Sequence, residues 1–127
     1  MAYSLMIVDD SNIIRNRIER SFSSSDIKII TTASNGVEAY EKFLVMKPDL
    51  ITMDLTMPQM DGLECIKKIV AHGTGVSILV VSALTDKATG LQALQYGARG
   101  FICKPFSEEE LVVALNRLIA MKDKVKR

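Results

Sequence analysis

The sequence predicts an α/β fold, a doubly wound sheet of five parallel strands with five helices, and three observations carry that prediction. Five short apolar runs alternate strictly with five segments of helical periodicity. The first, third and fourth runs are nearly continuous in Leu, Ile, Val and Met, as expected of strands covered on both faces. No linker, repeat or low-complexity segment breaks the pattern, and 127 residues suit one domain that buries roughly two-thirds of its unfolded surface. Strict alternation of this kind implies an open sheet with right-handed crossovers.

The first strand is expected over residues 5–9, and the helix after it repeats Ile14, Ile18 and Phe22 at four-residue intervals. The second strand is expected over 27–33. Its helix shows Val37, Tyr40, Phe43 and Leu44 as an apolar face and stops ahead of Pro48, because the residue before a proline avoids the helical region. After a third strand at 50–54, Asp61 and Glu64 can cap a helix whose face is Cys65, Ile66 and Ile69 and whose end is marked by Gly73 and Gly75. A fourth strand at 76–82 leads into a weaker helix near 85–96, where an interior Gly90 costs about 1 kcal/mol relative to alanine. The fifth strand is expected over 100–104. The last helix opens on a capping box, Ser107 to Glu110, buries Leu111, Leu115, Leu118 and Ile119, and ends in a basic, solvated tail at 122–127.

Sixteen basic and fifteen acidic side chains leave a formal charge of +1, so no global field points to nucleic acid or an anionic membrane. The apolar runs fall well short of the ~20 residues a spanning helix requires, and no signal peptide is expected. Cys65 and Cys103 are spaced neither as a disulfide framework nor as a zinc site. They read as small buried hydrophobes in a reduced compartment, and a cytoplasmic location is expected. Lone His72 reads as a surface residue near a helix end. The stretch from His72 to Gly75 precedes a strand, so it lies on the rim opposite the ligand crevice.

That crevice lies beyond the carboxyl ends of the strands. There the sequence places Asp9-Asp10 after the first strand, Asp54 at the end of the third, Ser82 at the end of the fourth and Lys104-Pro105 after the fifth. Taken singly, Asp10 or Ser11 could cap a helix, Ser82 could serve a turn and Lys104 could be a solvated head group. Jointly, three aspartates at one rim repel unless a cation joins them. Three carboxylates and one ammonium sum to −2, which a single Mg²⁺ neutralises with hard oxygen ligands and retained water. Central Asp54 is then placed to attack phosphorus and become an acyl phosphate, with the metal and Lys104 offsetting charge on the transferring group.

The acidic pair in "IVDDSN", Asp54 in "MDLTMPQMDG", Ser82 in "VVSAL" and the "KPF" of Lys104, Pro105 and Phe106 together resemble the response-regulator receiver domain of the CheY type. The resemblance runs end to end and implies one receiver domain over 1–127 with no effector domain. It also brings a flavodoxin-like strand order, 2-1-3-4-5, which is the family's own and not something the residues disclose. It implies a two-component response regulator, phosphorylated on Asp54 by a histidine kinase or a histidine phosphotransferase. Asp10 would ligate Mg²⁺ (or Mn²⁺ in its place) directly, Asp9 through water, Asp54 as the acceptor and Thr56 through its backbone carbonyl. Lys104 would contact the phosphoryl group, and the Lys104-Pro105 bond would be cis. Ser82 and Phe101 would form the switch, read by a downstream protein on the fourth helix, fifth strand and fifth helix, including Lys87, Leu91, Tyr96 and Phe101. The family tunes phosphate lifetime at the positions occupied here by Thr56 and Leu84, neither strongly polar nor charged, which implies a longer-lived phosphoryl group. A monomer is expected, with chemotactic or other phosphorelay output, no nucleic-acid or membrane partner, and at most slow self-phosphorylation and self-dephosphorylation.

Three rival readings compete with this one. An aspartate-nucleophile phosphatase or ATPase would carry a second acid two residues past Asp54 and a cap domain. A flavodoxin-type cofactor binder would place a hydroxyl- and glycine-rich loop where Asp9 to Asn12 stand. A receiver fragment of a longer DNA-binding regulator stays open.

Overall fold

The computed structural model describes residues 3–22, 26–55, 62–83 and 87–125, apart from the side chains of Lys87 and of 123–125. Among the described residues the elements run β1 (Tyr3–Val8), α1 (Asn12–Ser21), β2 (Ile27–Ala33), α2 (Gly36–Met46), β3 (Leu50–Asp54), α3 (Gly62–Val70), β4 (Ser77–Ala83), α4 (Lys87–Gln95), β5 (Gly100–Lys104) and α5 (Glu108–Val125). All pairings are parallel, and the five-stranded sheet has the order β2-β1-β3-β4-β5 that the resemblance implies.

Two apolar clusters cover the two faces of the sheet. Ala39 and Phe43 of α2, Cys65, Ile66 and Ile69 of α3, and Ala93 of α4 pack one face. Ile18 and Phe22 from the α1 region and Leu111, Leu115 and Leu118 of α5 pack the other. The β3 strand is buried along its whole length, which is why only Thr52 and the terminal Asp54 interrupt its apolar sequence.

The expected bounds hold for β2, β3 and β5 and shift for β1 and β4. The first strand starts two residues early because polar Tyr3 and Ser4 are drawn in by pairing: Tyr3 faces Ile27, and the Ser4 N–H donates to the Asp49 carboxylate at 3.0 Å. It also stops at Val8, so Asp9 lies just outside it. The fourth strand runs one residue later than expected, from Ser77, whose N–H donates to the Asp49 carbonyl at 3.0 Å.

The apolar face expected of α2 is corrected. Gly36, Ala39 and Phe43 are the buried residues, while Val37 and Leu44 are exposed and Tyr40 is half-buried. The helix turns its small residues to the sheet, and only Phe43 of the expected face points fully inward. It ends at Met46 with Lys47 in the left-handed region, one residue ahead of Pro48. In α3 the expected face is buried, while the capping residue Asp61 lies outside the described residues. The helix α4 is described over Lys87–Gln95 and ends one residue before the expected end at Tyr96, while its expected start at Thr85 lies outside the described residues. The capping box of α5 forms: Ser107 Oγ accepts the Glu110 N–H at 3.0 Å and a Glu110 carboxylate oxygen accepts the Ser107 N–H at 3.1 Å. Of its expected face, Ile119 is only half-buried.

Gly90 has a packing reason that the sequence conceals. A Cβ built there overlaps the ring of Phe101, so the ring lies directly on the backbone of α4. Gly90→Ala is therefore expected to destabilise the fold by about 1–2 kcal/mol, because overpacking outweighs the ~1 kcal/mol gain in helix propensity. A lower urea midpoint at unchanged slope is the signature. A higher midpoint would show that the ring yields freely. Thr52 supplies the opposite case: its hydroxyl is buried with no hydrogen-bond partner among the described residues. Thr52→Val should raise stability by roughly 1 kcal/mol in the same measurement.

Candidate functional site

The parallel order brings the carboxyl ends of β1, β3, β4 and β5 to one rim. Val8 pairs with Met53, so the residues that follow, Asp9 and Asp54, stand side by side. Asp9 is 1% exposed, and its N–H donates to the Ala33 carbonyl at 3.0 Å. Each of its carboxylate oxygens is engaged. Oδ1 accepts the Ser11 N–H at 2.9 Å, and Oδ2 lies 2.9 Å from Lys104 Nζ. Ser11 in turn caps α1, its Oγ accepting the Ile14 N–H at 3.3 Å. Asp10 differs from its neighbour: it is exposed, and its carboxylate carries no hydrogen bond among the described residues.

Asp54 ends β3 and is 5% exposed, with Oδ1 3.7 Å from Lys104 Nζ. Its backbone is gripped from behind by the start of α3. The Gly62 N–H donates to the Leu55 carbonyl at 3.1 Å, and a Cβ at Gly62 would stand 2.5 Å from the Asp54 carbonyl oxygen. Glycine is thus required by close approach, not by an unusual φ. The sequence motif contains this residue, but spacing alone gave it no role.

Carboxylate oxygens of Asp9, Asp10 and Asp54 lie within 4.8 Å of one another. The donor set is all hard oxygen, which suits Mg²⁺, Mn²⁺ or Ca²⁺ and not a thiolate-seeking metal. Two ligands held ~2.1 Å from an octahedral ion lie about 3.0 Å apart when adjacent and about 4.2 Å when opposite. A small movement, or a water standing in for the most distant carboxylate, closes the difference. With both oxygens of Asp9 already occupied and Asp10 open to solvent, Asp10 is the better direct ligand. The residues present fit a hard divalent cation.

Ser82 is 1% exposed on β4, opposite Cys103 of β5, and its Oγ lies 3.3 Å from the Ala83 carbonyl to which it donates. Lys104, opposite Ala83, precedes a cis peptide bond to Pro105. Phe101 is half-buried at the margin of the α2–α4 cluster. Thr56 and Leu84 lie outside the described residues, as does the Lys87 side chain. Leu91 is 63% exposed on α4, and the Tyr96 hydroxyl accepts from Gln92 Nε2 at 2.8 Å while Lys67 stands 5.0 Å from its ring. His72 is exposed beyond the end of α3, with Nε2 2.7 Å from the Tyr40 hydroxyl, in the connection that leads into β4. Cys65 is buried, its Sγ donating to the Gly36 carbonyl at 3.5 Å, Cys103 is half-buried, and among the described residues neither is in a disulfide. No helix among the described residues is long and apolar enough to cross a membrane.

A family model described as the response regulator receiver domain matches residues 5–116. The chemotaxis protein CheY of Listeria monocytogenes is 37% identical over 113 residues, 89% of this chain and 95% of that protein. A protein-glutamate methylesterase/protein-glutamine glutaminase of Colwellia psychrerythraea is 45% identical over 112 residues, 85% of this chain and 29% of that protein. A chain in the crystal structure of the CheX–CheY–BeF3–Mg²⁺ complex from Borrelia burgdorferi superposes with a TM-score of 0.84 at 31% identity, covering 94% of this chain and 88% of that one.

The crowded carboxylates set an expectation for stability. At one hundred times its dissociation constant, Mg²⁺ should stabilise the folded chain by about 2.7 kcal/mol, raising the melting temperature by roughly 10 °C. Asp10→Asn relieves repulsion, so it should melt higher than wild type in EDTA and gain little from Mg²⁺. Equal Mg²⁺ gains in both proteins would place the cation elsewhere.

Proposed function

The chain belongs to the response regulator receiver family, and from that premise we propose that it is a two-component response regulator whose phosphoacceptor is Asp54. The observation that carries this reading is a carboxylate at the carboxyl end of the central strand, 3.7 Å from the Lys104 ammonium and within a cluster of three aspartates.

The donor is a phosphohistidine on a histidine kinase or a histidine phosphotransferase. An Asp54 carboxylate oxygen attacks phosphorus, and the new O–P bond forms as the P–N bond breaks. The electron pair of the broken bond stays on the imidazole nitrogen, which leaves neutral once protonated. Lys104 sits between Asp9 and Asp54 and can follow the negative charge onto the incoming phosphoryl oxygens. Mg²⁺, with Mn²⁺ as a substitute, would be held by Asp10 and Asp54 directly, by Asp9 through water and by the Thr56 carbonyl; bound, it neutralises phosphoryl charge. The chain itself is a phosphoacceptor, and slow self-phosphorylation and self-dephosphorylation are the only catalysis assigned to it.

Phosphorylation takes Asp54 from −1 to roughly −2 and adds acceptor oxygens beside Ser82. In the proposed output Ser82 turns its weakly held hydroxyl from the Ala83 carbonyl to the phosphoryl group, and Phe101 moves with it. The surface that changes is the face of α4, β5 and α5, where Leu91 and Leu94 already stand exposed. A downstream protein reads that face, in chemotaxis-like signalling or another phosphorelay. The similarity to CheY over most of both chains supports the chemotactic form. The reading places the protein in the cytoplasm as a monomer, with no nucleic-acid or membrane partner, and Thr56 and Leu84 favour a long phosphoryl lifetime.

Acetyl phosphate should add one phosphate to the intact mass only when Mg²⁺ is present, and Asp54→Asn should remove it. Stoichiometric labelling of that variant at another residue would reject the assignment. Ser82→Ala should still be labelled but lose most of the affinity gain for its partner, a gain of roughly 5–150-fold if coupling is of ordinary size.

A further inference from the structure

Two arginines of α1 reach backbone carbonyls on opposite flanks of the acidic rim. Arg15 Nη1 donates to the Asp9 carbonyl at 2.5 Å, and Arg17 Nη2 donates to the Phe106 carbonyl at 2.6 Å. Arg17 is half-buried, and its guanidinium carbon lies over the Phe106 ring, 5.1 Å from the centroid. That ring is itself buried among Ile18, Leu111 and Leu115. The contact joins residues 89 positions apart in the chain.

The Phe106 carbonyl is two residues beyond Lys104. Behind it the backbone is held by pairing of β5 with β4, and ahead of it by the capping box of Ser107. Between these anchors Pro105 has no N–H to donate, so the corner depends on its side contacts. The lysine head group sits at the end of a flexible four-carbon stem. Its ammonium can be no better placed than the backbone that carries it.

We propose that Arg17 is a positioning residue for phosphoryl transfer. By holding the Phe106 carbonyl and ring it fixes the Lys104-Pro105-Phe106 corner, and so keeps the Lys104 ammonium within reach of both Asp9 and Asp54. The proposal rests on the phosphoacceptor reading of Asp54. A bond from a guanidinium to a carbonyl is charge-assisted, and the stacking on Phe106 adds direction to it. A purely structural staple between α1 and the start of α5 would use the same contact, but it would affect stability alone.

Arg17→Met keeps the aliphatic bulk and removes the donors, while Arg20→Met removes the same charge from an exposed position on the same helix. Three quantities are measured on the full chain: the initial rate of labelling by acetyl phosphate, beryllofluoride affinity in saturating Mg²⁺ from amide shifts, and Mg²⁺ affinity alone. Misplaced catalytic groups are costly, so Arg17→Met should be labelled roughly tenfold more slowly and bind beryllofluoride roughly tenfold more weakly, with Mg²⁺ affinity within about twofold of wild type. Arg20→Met should match wild type in all three. Arg17→Lys keeps a cationic donor without the planar stack, should fall between, and decides the matter if Arg17→Met is too unstable to assay. Wild-type values in the Arg17 variants would overturn the proposal, and so would an equal loss in Arg20→Met or a parallel loss of Mg²⁺ affinity. Failure of the wild type to bind beryllofluoride would sink the phosphoacceptor reading itself, a result that the Arg17 variants alone cannot produce.

Discussion

The ammonium of Lys104 is the interaction on which the rim depends. Asp9 and Asp54 are nearly inaccessible to water, so solvent cannot disperse their repulsion, and the lysine contacts both. Its reach is demanding. In the order β1-β3-β4-β5, three spacings of ~4.8 Å put β5 about 14 Å from β1 along the sheet. Only a long side chain from the β5 edge, met by a carboxylate at the end of interior β1, closes that gap. The lysine must also pass over the end of β4, and there the chain carries its small residues, Ser82 and Ala83. A bulky pair at those positions would block the crossing.

The same demand for close approach recurs around the site. At Gly62 the first turn of α3 lies against the Asp54 backbone, and at Gly90 the Phe101 ring lies on α4. Both glycines have been chosen by what touches them. Both also set a residue of the candidate site or its margin, Asp54 through its backbone and Phe101 through its ring, against a helix on the same face of the sheet. A strand end built this way has little freedom to drift, which is what a preorganised electrostatic site requires.

Much of this was legible in the sequence for a physical reason. Strand alternation fixes which residues reach the carboxyl rim, so Asp9, Asp10, Asp54, Ser82 and Lys104 could be gathered before any distance was known. Hydrophobic patterning located β2, β3 and β5 to the residue, because their ends coincide with changes in composition. It failed where pairing overrides composition, as with Tyr3 and Ser4, which enter β1 through partners on β2 and the Asp49 carboxylate. It failed again on α2, where small Gly36 and Ala39 take the buried face from larger Val37 and Leu44. A hydrophobic scale rewards size, whereas a helix lying close to a sheet selects for its absence. Gly90 was read as a weakness for the same reason: propensity counts the backbone cost and cannot see the ring that occupies the space. The tie between Arg17 and Phe106 left no local signal, since it joins opposite ends of the chain.

These features converge on β5. As an edge strand it is paired on one side only, with β4. Within five residues it carries Phe101, seated on α4, and Lys104, bound to the acidic rim, while Ser82 lies across the ladder from Cys103 between them. A change of charge at Asp54 would therefore need no long route to reach the proposed output face. It acts on the lysine at one end of a short strand and on the hydroxyl beside its middle, and the aromatic ring sits three residues from the lysine. Coupling over so short a span needs one element with two arrangements and not a chain of intermediates. The strand with the fewest backbone partners is the one best able to supply it. Its two flanks are held unequally, by van der Waals contact at Gly90 and by charged hydrogen bonds at Lys104 and beyond. On the proposed function, the end that would stay fixed for chemistry has the stronger ties, and the end that would move for signalling has the weaker.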